Sequence, residues 1–482
     1  MSLTRQVAYN VSFQTIGKAI NVLIGLVSVA IVTRYLGVEG YGAYTTAFAY
    51  IAVFSVISDF GFSWIIVKRI AAGEDISKVV QNTLSLRLLF ASSVFLLSLL
   101  LVAFMPYDPA VKWSILIVAL SIIWSSQTSV YTAVFQSKLK MDLATIAEVL
   151  GRILGLGLLI VAVNLSLDLV YVVGASVLST FLNYVFSFLF SLKYAKAGYS
   201  FNYGYSKLFI REALPIGIVS ILGLLYFKID TIILSLFKGS LDVGVYGTPY
   251  KILEILTALP VMFVGSIFPA LTAAFTQKDS QRLKRIFQIS FDTLAIGAIG
   301  VVAIILPLSK PMTVFLAGGE FVSTSTISVF GVSMTSDIIL QILIFAVSLS
   351  FINALFTNSI VVFGNQRKLI LPYAIATTFN LIFNFLLIPK YSYLAAAVIT
   401  VLTEVIIVIA TYMLVNSSVH INLSLKNLAK TVLCGIVTTI FLYLILNLHF
   451  IISAFLGVSF FAILLYLMGV INKNNLTSLF KK

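Results

Sequence analysis

Charge is scarce in this sequence. Of 482 residues, 10% are Asp, Glu, Lys or Arg, while 60% are hydrophobic, and the mean hydropathy is +1.09. A soluble domain carries about 25% charge and 45–50% apolar residues. The composition therefore excludes a water-soluble protein and points to an integral membrane chain. Cysteine is nearly absent. With Cys434 alone, no intramolecular disulfide can form. The two histidines, His420 and His449, stand far from any Cys or carboxylate cluster, which argues against zinc. HExxH, Walker A and G-x-S-x-G patterns are missing, so the common hydrolase and P-loop chemistries have no carrier. The expectation is a protein that is not an enzyme and needs no cofactor.

Long apolar runs are plentiful. About 20 apolar residues cross the bilayer core as a helix, and backbone groups in lipid must be satisfied within the segment. Fourteen runs meet this description: 11–33, 41–66, 80–104, 112–136, 143–164, 168–192, 211–237, 243–275, 287–308, 338–364, 369–388, 393–415, 427–447 and 450–471. The predicted class is all-α and polytopic. Region 309–337 is expected to be a loop with a partial helix. The first run is too long for a signal-peptide core, is interrupted by Lys18 and lacks a small-x-small cleavage pattern, so it is read as a retained helix.

Lysine and arginine set the orientation. The N-terminus, every second connection and the C-terminus hold 20 of the 31 cations, whereas the opposite side holds five: Arg34, Lys112, Lys238, Lys310 and Lys390. Both termini are thus expected in the cytoplasm. The net charge of +14 reads as a topology signal and an attraction to anionic headgroups, not as a nucleic-acid footprint.

"GYGAYTTAF" at 40–48 is echoed by "DVGVYGTPY" at 242–250, and 135–161 has a weaker echo in 363–389. Helices 1–6 therefore look like a repeat of 7–12, with an axis along the membrane normal. The expected organisation is a six-helix lobe at 1–195, a second at 196–416, and two additional helices with a tail at 417–482.

Six cations and six acids lie within or at the ends of the apolar runs: Lys18, Arg87, Arg152, Lys228, Lys251 and Lys430, with Asp59, Glu148, Asp230, Glu254, Asp292 and Glu404. Each costs about 2.5–3.5 kcal/mol on insertion scales, so each needs a partner or a wet cavity. Glu148–Arg152 at i,i+4 and Lys251–Glu254 at i,i+3 can pair locally. Those pairs fit bundle glue and a cavity lining equally well. Lys430 is close enough to its helix end to snorkel. Lys228 and Asp230 differ, because two residues of spacing puts them about 200° apart on a helix. Lys228 either snorkels or binds a structural partner, or it faces a cavity. A cavity lined by such cations suits an anion, most obviously a phosphate or pyrophosphate. Asp59, Glu148, Asp230, Glu254 and Glu404 could balance charge or bind a coupling proton or sodium ion.

Three stretches resemble the polysaccharide (O-antigen-type, Wzx-like) flippases of the multidrug/oligosaccharidyl-lipid/polysaccharide (MOP) exporter superfamily. They are "TRYLGVEGYGAYTTAFAYIAVFSVISDFG" at 33–61, the proline-led 214–271 with its "KID" triplet, and 364–404. The resemblance implies two six-helix lobes in a V and a central cationic cavity. It also implies a multi-pass plasma-membrane protein that moves a polyprenyl- or dolichyl-(pyro)phosphate-linked oligosaccharide from the cytoplasmic to the outer leaflet. Membrane lipids, and glycosyltransferases or a polymerase of the same pathway, are the implied partners. Lys18, Arg34, Lys228 and Asp230 fall where such proteins often carry charge; Arg87, Arg152 and Lys251 rest on the intramembrane-charge argument. "VFGVSMTSDIIL" at 329–340 departs from the pattern, as extra residues before helix 10. The runner-up is a cation-coupled multidrug exporter, whose cavity should be acidic or apolar. A membrane-embedded glycosyltransferase or polymerase stands behind it, lacking an acidic motif in a large outer loop.

Overall fold

The computed structural model describes residues 3–196, 198–419 and 423–471. These are helical almost throughout. In chain order the helices are α1 (Leu3–Asp59), α2 (Phe62–Ala71), α3 (Ile76–Ala103), α4 (Pro109–Ser137), α5 (Met141–Asn164), α6 (Leu169–Ser191), α7 (Tyr203–Lys238), α8 (Ser240–Thr276), α9 (Ser280–Ala317), α10 (Ser336–Val362), α11 (Ile370–Val419), α12 (Lys426–Leu444) and α13 (Phe450–Leu467). Eleven segments among the described residues are long and apolar enough to cross a membrane, so the chain is a multi-pass membrane protein.

Two of the helices exceed one crossing. α1 has 57 residues, about 85 Å at 1.5 Å per residue, against a hydrocarbon core of about 30 Å. It breaks at Gly37 (φ 66°), between the predicted runs 11–33 and 41–66. α11 breaks likewise at Ser392 (φ 45°), between 369–388 and 393–415. Run 41–66 is further divided by a turn at Phe60 and Gly61, both with positive φ, which starts α2.

Two compact units divide the chain at residues 244 and 245. In the first, α4 packs on α1, α3 and α6, α5 packs on α6 and α1, and α7 lies against α1, α2 and α3. Its apolar core includes Tyr50, Ile51, Val94, Ile115 and Val173, with a second cluster around Phe62, Val134, Phe135 and Phe209. Asn10 holds the sharp α4–α5 turn: its Nδ2 donates to the Leu139 carbonyl (2.7 Å), and its Oδ1 accepts from the Met141 amide (3.2 Å). In the second unit, α9 packs on α10, α12 and α13, and α10 on α11.

Region 309–337 is a loop with a partial helix, as expected, and the loop carries structure of its own. α9 runs on to Ala317 with Pro307 and Pro311 inside it, and a short 3-10 turn follows at Gly319–Val322. A two-stranded hairpin then pairs β1 (Ser328–Val329) with β2 (Val332–Ser333). Its turn residues, Phe330 and Gly331, both have positive φ (50° and 79°), as a two-residue hairpin requires. Of the residues that looked like an insertion, 329–333 belong to this hairpin and 336–340 begin α10. The base of the hairpin is fixed by the buried Tyr393 hydroxyl, which donates to the Met334 carbonyl (2.7 Å) and accepts from the Thr326 amide (3.2 Å).

The sequence repeat has a backbone counterpart inside the first unit. Gly37 has φ 66° and ψ −172°, and Gly239 has φ 79° and ψ −174°. The register that matches them also matches Val38 to Ser240 and Gly42 to Gly244. A Cβ on Gly42 would overlap the Ser240 carbonyl, and a Cβ on Gly244 would overlap the Val38 carbonyl. Each glycine therefore lies against the counterpart of its own neighbour, the reciprocity of a two-fold contact. Gly42→Ala and Gly244→Ala should each destabilise the protein by about 1–3 kcal/mol, the usual range for overpacking. Thermal unfolding of detergent-purified protein measures this. Gly25→Ala, in open space, is the neutral comparison; equal melting of all three would remove the contact's importance.

Candidate functional site

The small residues of α5 build a polar cavity. Gly151 and Gly155 let α6 approach so closely that Ser179 touches both, and the Ser179 hydroxyl donates to the Gly151 carbonyl (2.9 Å). Gly17 gives α1 a similar approach to Thr145 on α5. Between them lies a cavity of about 170 Å³ whose polar lining comprises Gln14, Lys18, Asn21, Thr132, Thr145, Glu148 and Asn183. Lys18 makes no ion pair among the described residues. Glu148 is held from behind by Arg152, whose Nε donates to Oε1 (3.2 Å) and whose Nη2 lies 3.1 Å from the same oxygen in an ion pair. Lys18 and Glu148, from separate runs of sequence, thus meet at one cavity. Arg152 reaches it only through Glu148.

Arg87 is placed differently. It does not line this cavity and is 0% exposed. Its Nη2 meets Asp59 Oδ1 at 2.7 Å, its Nη1 donates to Ser63 Oγ (3.2 Å) and its Nε donates to Ser126 Oγ (3.1 Å). Ser63 in turn donates to Asp59 (3.0 Å), and the guanidinium lies 5.7 Å from the Phe62 ring centre. All three guanidinium nitrogens are engaged. In this conformation Arg87 and Asp59 tie α1, α2, α3 and α4 together, rather than presenting a cation to substrate. A buried charge held by one carboxylate and two hydroxyls leaves nothing to offer a ligand.

The two charges of the KID triplet, Lys228 and Asp230 on α7, separate by burial. Asp230 is 3% exposed, and its Oδ1 accepts from the Thr231 amide (2.6 Å) and hydroxyl (3.3 Å); Lys228 is half-buried. Arg34 is exposed, one turn before the Gly37 break. In the second unit Lys251 Nζ meets Glu254 Oε2 at 2.9 Å, the local pair that the spacing allows. Glu404 is 7% exposed and close enough to act electrostatically on the Tyr373 hydroxyl. Beside it, Asn384 donates to Asn380 (2.9 Å), and Asn380 to Thr403 (3.3 Å).

Two clusters went unrecognised in the sequence. The asparagine seam on α11 was visible as Asn380 and Asn384, one turn apart in an apolar run. The other joins α2 to α7: Arg69 Nη2 meets Glu212 Oε1 at 2.9 Å, Lys68 reaches Oε2 at 3.3 Å, and the Arg69 guanidinium stacks 4.4 Å from the Tyr205 ring centre. Its cations were counted only as loop charges, since nothing local signals a partner 143 residues away. No group of three or more His, Cys, Asp or Glu among the described residues could hold a metal.

The profile of a family described as "Polysaccharide biosynthesis protein" matches residues 7–275, more than half of the chain. The chain belongs to this family. A curated relative, the "Probable low-salt glycan biosynthesis flippase Agl15" of Haloferax volcanii, is 22% identical over 381 residues, covering 77% of this chain and 75% of the relative. Among solved structures, the lipid II flippase MurJ in an inward closed conformation superposes with a TM-score of 0.74 at 14% identity, covering 94% of this chain and 98% of MurJ. An inward-facing multidrug resistance MATE transporter of the MOP superfamily gives 0.63 at 15% identity, covering 82% and 94%. The fold is therefore the one MurJ and the MATE transporters share, and the family is one of polysaccharide biosynthesis.

Removing Asp59 tests the buried pair. Asp59→Ala should cost about 3 kcal/mol, the low end for stranding a buried ion, because the Asp59 side chain is itself 39% exposed. Adding Arg87→Met should restore much of that loss. Melting temperatures of the two variants decide it; a double variant no more stable than Asp59→Ala would contradict the pairing argument.

Proposed function

We propose that this protein is a flippase that carries a lipid-linked oligosaccharide across the plasma membrane by alternating access, from the cytoplasmic to the outer leaflet. The observation that carries the reading is Lys18, a cation with no ion pair among the described residues, in a polar cavity of a membrane-spanning unit. Such a group recovers in ligand binding what it costs in desolvation. The phosphate or pyrophosphate that joins glycan to polyprenyl or dolichyl carrier is an anion of the right kind. Gln14, Asn21, Thr132 and Asn183 add hydrogen-bonding groups suited to phosphate oxygens or sugar hydroxyls. Family membership supports the pathway, and the Haloferax relative's description supports a glycan cargo. The helix breaks and the cation bias support fourteen crossings with both termini cytoplasmic. Lys228 is assigned a second phosphate contact, and Asp230 or Glu404 a coupling proton or sodium ion.

The multidrug alternative needs an acid facing the cavity and available to a cationic drug. Glu148 is the acid at the cavity, and Arg152 already engages it, which favours an anionic cargo.

Purified protein in liposomes with a fluorescent lipid-linked glycan tests the proposal. Lys18→Gln should slow flipping at least tenfold, the loss of one charge-assisted contact, with protein abundance unchanged. Flipping at the unmodified rate would overturn the assignment. In a complementation strain, Lys228→Ala should stop surface glycan export while the protein remains inserted and abundant. Normal export would remove Lys228 from the substrate path.

A further inference from the structure

A second charged pocket lies on the other side of α5. Lys140 and Asp142 at the start of α5 face Lys193 and Tyr194 just beyond the end of α6, over an apolar floor of Leu143, Leu189 and Phe190. Its volume is about 400 Å³. Residues 141, 144, 145 and 148 of the same helix turn towards the Lys18 cavity, so the two sites do not share their lining. Lys140 and Lys193 make no ion pair among the described residues. Asp142 Oδ1 is buried without a hydrogen-bond partner, and Leu189 is 50% exposed.

We infer that this pocket binds the headgroup of an anionic phospholipid of the surrounding membrane. The lining has the amphipathic order that such a ligand requires. The lysines sit at the ends of two membrane-spanning helices, where headgroups lie, and basic pockets between such helices attract anionic lipids. Leu189 and Phe190 continue the wall along α6, where an acyl chain would run. Asp142 adds a selectivity element: its buried Oδ1 lacks a donor, which an alcohol hydroxyl beside the headgroup phosphate would supply on entering the pocket. Phosphatidylglycerol has alcohol hydroxyls, and phosphatidic acid has none. The Tyr194 ring is set edge-on against Phe135, 6.3 Å between centres, which holds it beside Lys193 at the rim.

Binding of phosphatidylglycerol, phosphatidic acid and phosphatidylcholine to the full-length protein, measured by native mass spectrometry from detergent, tests this. Phosphatidylglycerol should bind most tightly, and Lys140→Gln with Lys193→Gln should weaken it by about thirtyfold, given what each lysine contributes at an anionic surface. Lys138→Gln, outside the pocket, should leave it unchanged. Asp142→Ala should abolish the preference for phosphatidylglycerol over phosphatidic acid. Undiminished binding in the double variant, or an equal loss with Lys138→Gln, would overturn the site. Displacement of the lipid by millimolar glycerol phosphate would show a soluble-phosphate site instead.

Discussion

A charged side chain in hydrocarbon must be neutralised, hydrated or occupied by a ligand, because none of the alternatives is cheap. That constraint orders the interior of this protein. Arg87 meets it by complete enclosure, with one carboxylate and two hydroxyls around its guanidinium. Arg152 and Lys251 meet it with an acid one turn away on their own helix. Lys18 meets it with a cavity. These solutions have different consequences. An enclosed pair holds helices together and is inert to ligands, a local pair fixes one side chain in place, and an open cation is reactive. Function therefore follows from how each charge is satisfied rather than from the number of charges in the membrane.

The same reasoning explains how much was legible in the sequence. Helix positions were readable because hydropathy acts over twenty residues at a time, and the breaks at Gly37 and Ser392 fall in the gaps between predicted runs. The pairs Glu148–Arg152 and Lys251–Glu254 were readable as possibilities because both partners lie on one turn. The partner of Arg87 was not readable, since Asp59 comes from another helix 28 positions away. Without that contact, Arg87 looked the equal of Lys18. Spacing on a single helix limits which charges can meet each other, but only packing says which do.

Glycine played a larger part than the sequence suggested. The repeated G-x-Y marked a duplication, yet the physical reason for the glycine appears only when Gly42 is found against Ser240 and Gly244 against Val38. A side chain at either place would force the backbones apart. The matching φ and ψ of Gly37 and Gly239 extend the argument, because a left-handed residue is needed where each helix ends and the next begins. Along α5, Gly151 and Gly155 serve a different end. They bring α6 near enough for Asn183 to share a cavity with Glu148 and, from α1, Lys18. Close backbone approach thus sets both the repeat contact and the shape of the candidate site.

Consider, finally, the charge balance at that cavity. Lys18 and Arg152 together carry two positive charges, and Glu148 carries one negative. Arg152 already holds Oε1 of Glu148 by one hydrogen bond and an ion pair, so drawing the acid across to Lys18 would leave Arg152 without its partner. Among the described residues this leaves one cation without an ion pair, which an entering anion, on the function proposed above, would neutralise. A monophosphate or pyrophosphate would be attracted strongly enough to enter yet would not displace an existing pair, so the protein's own contacts need not be rebuilt at each cycle. A fully neutral cavity would lack that attraction. One with both cations free would hold a phosphate too tightly to release it. On that proposal the Glu148–Arg152 pair would set the strength of the Lys18 site, a role that neither residue's position in the sequence reveals by itself.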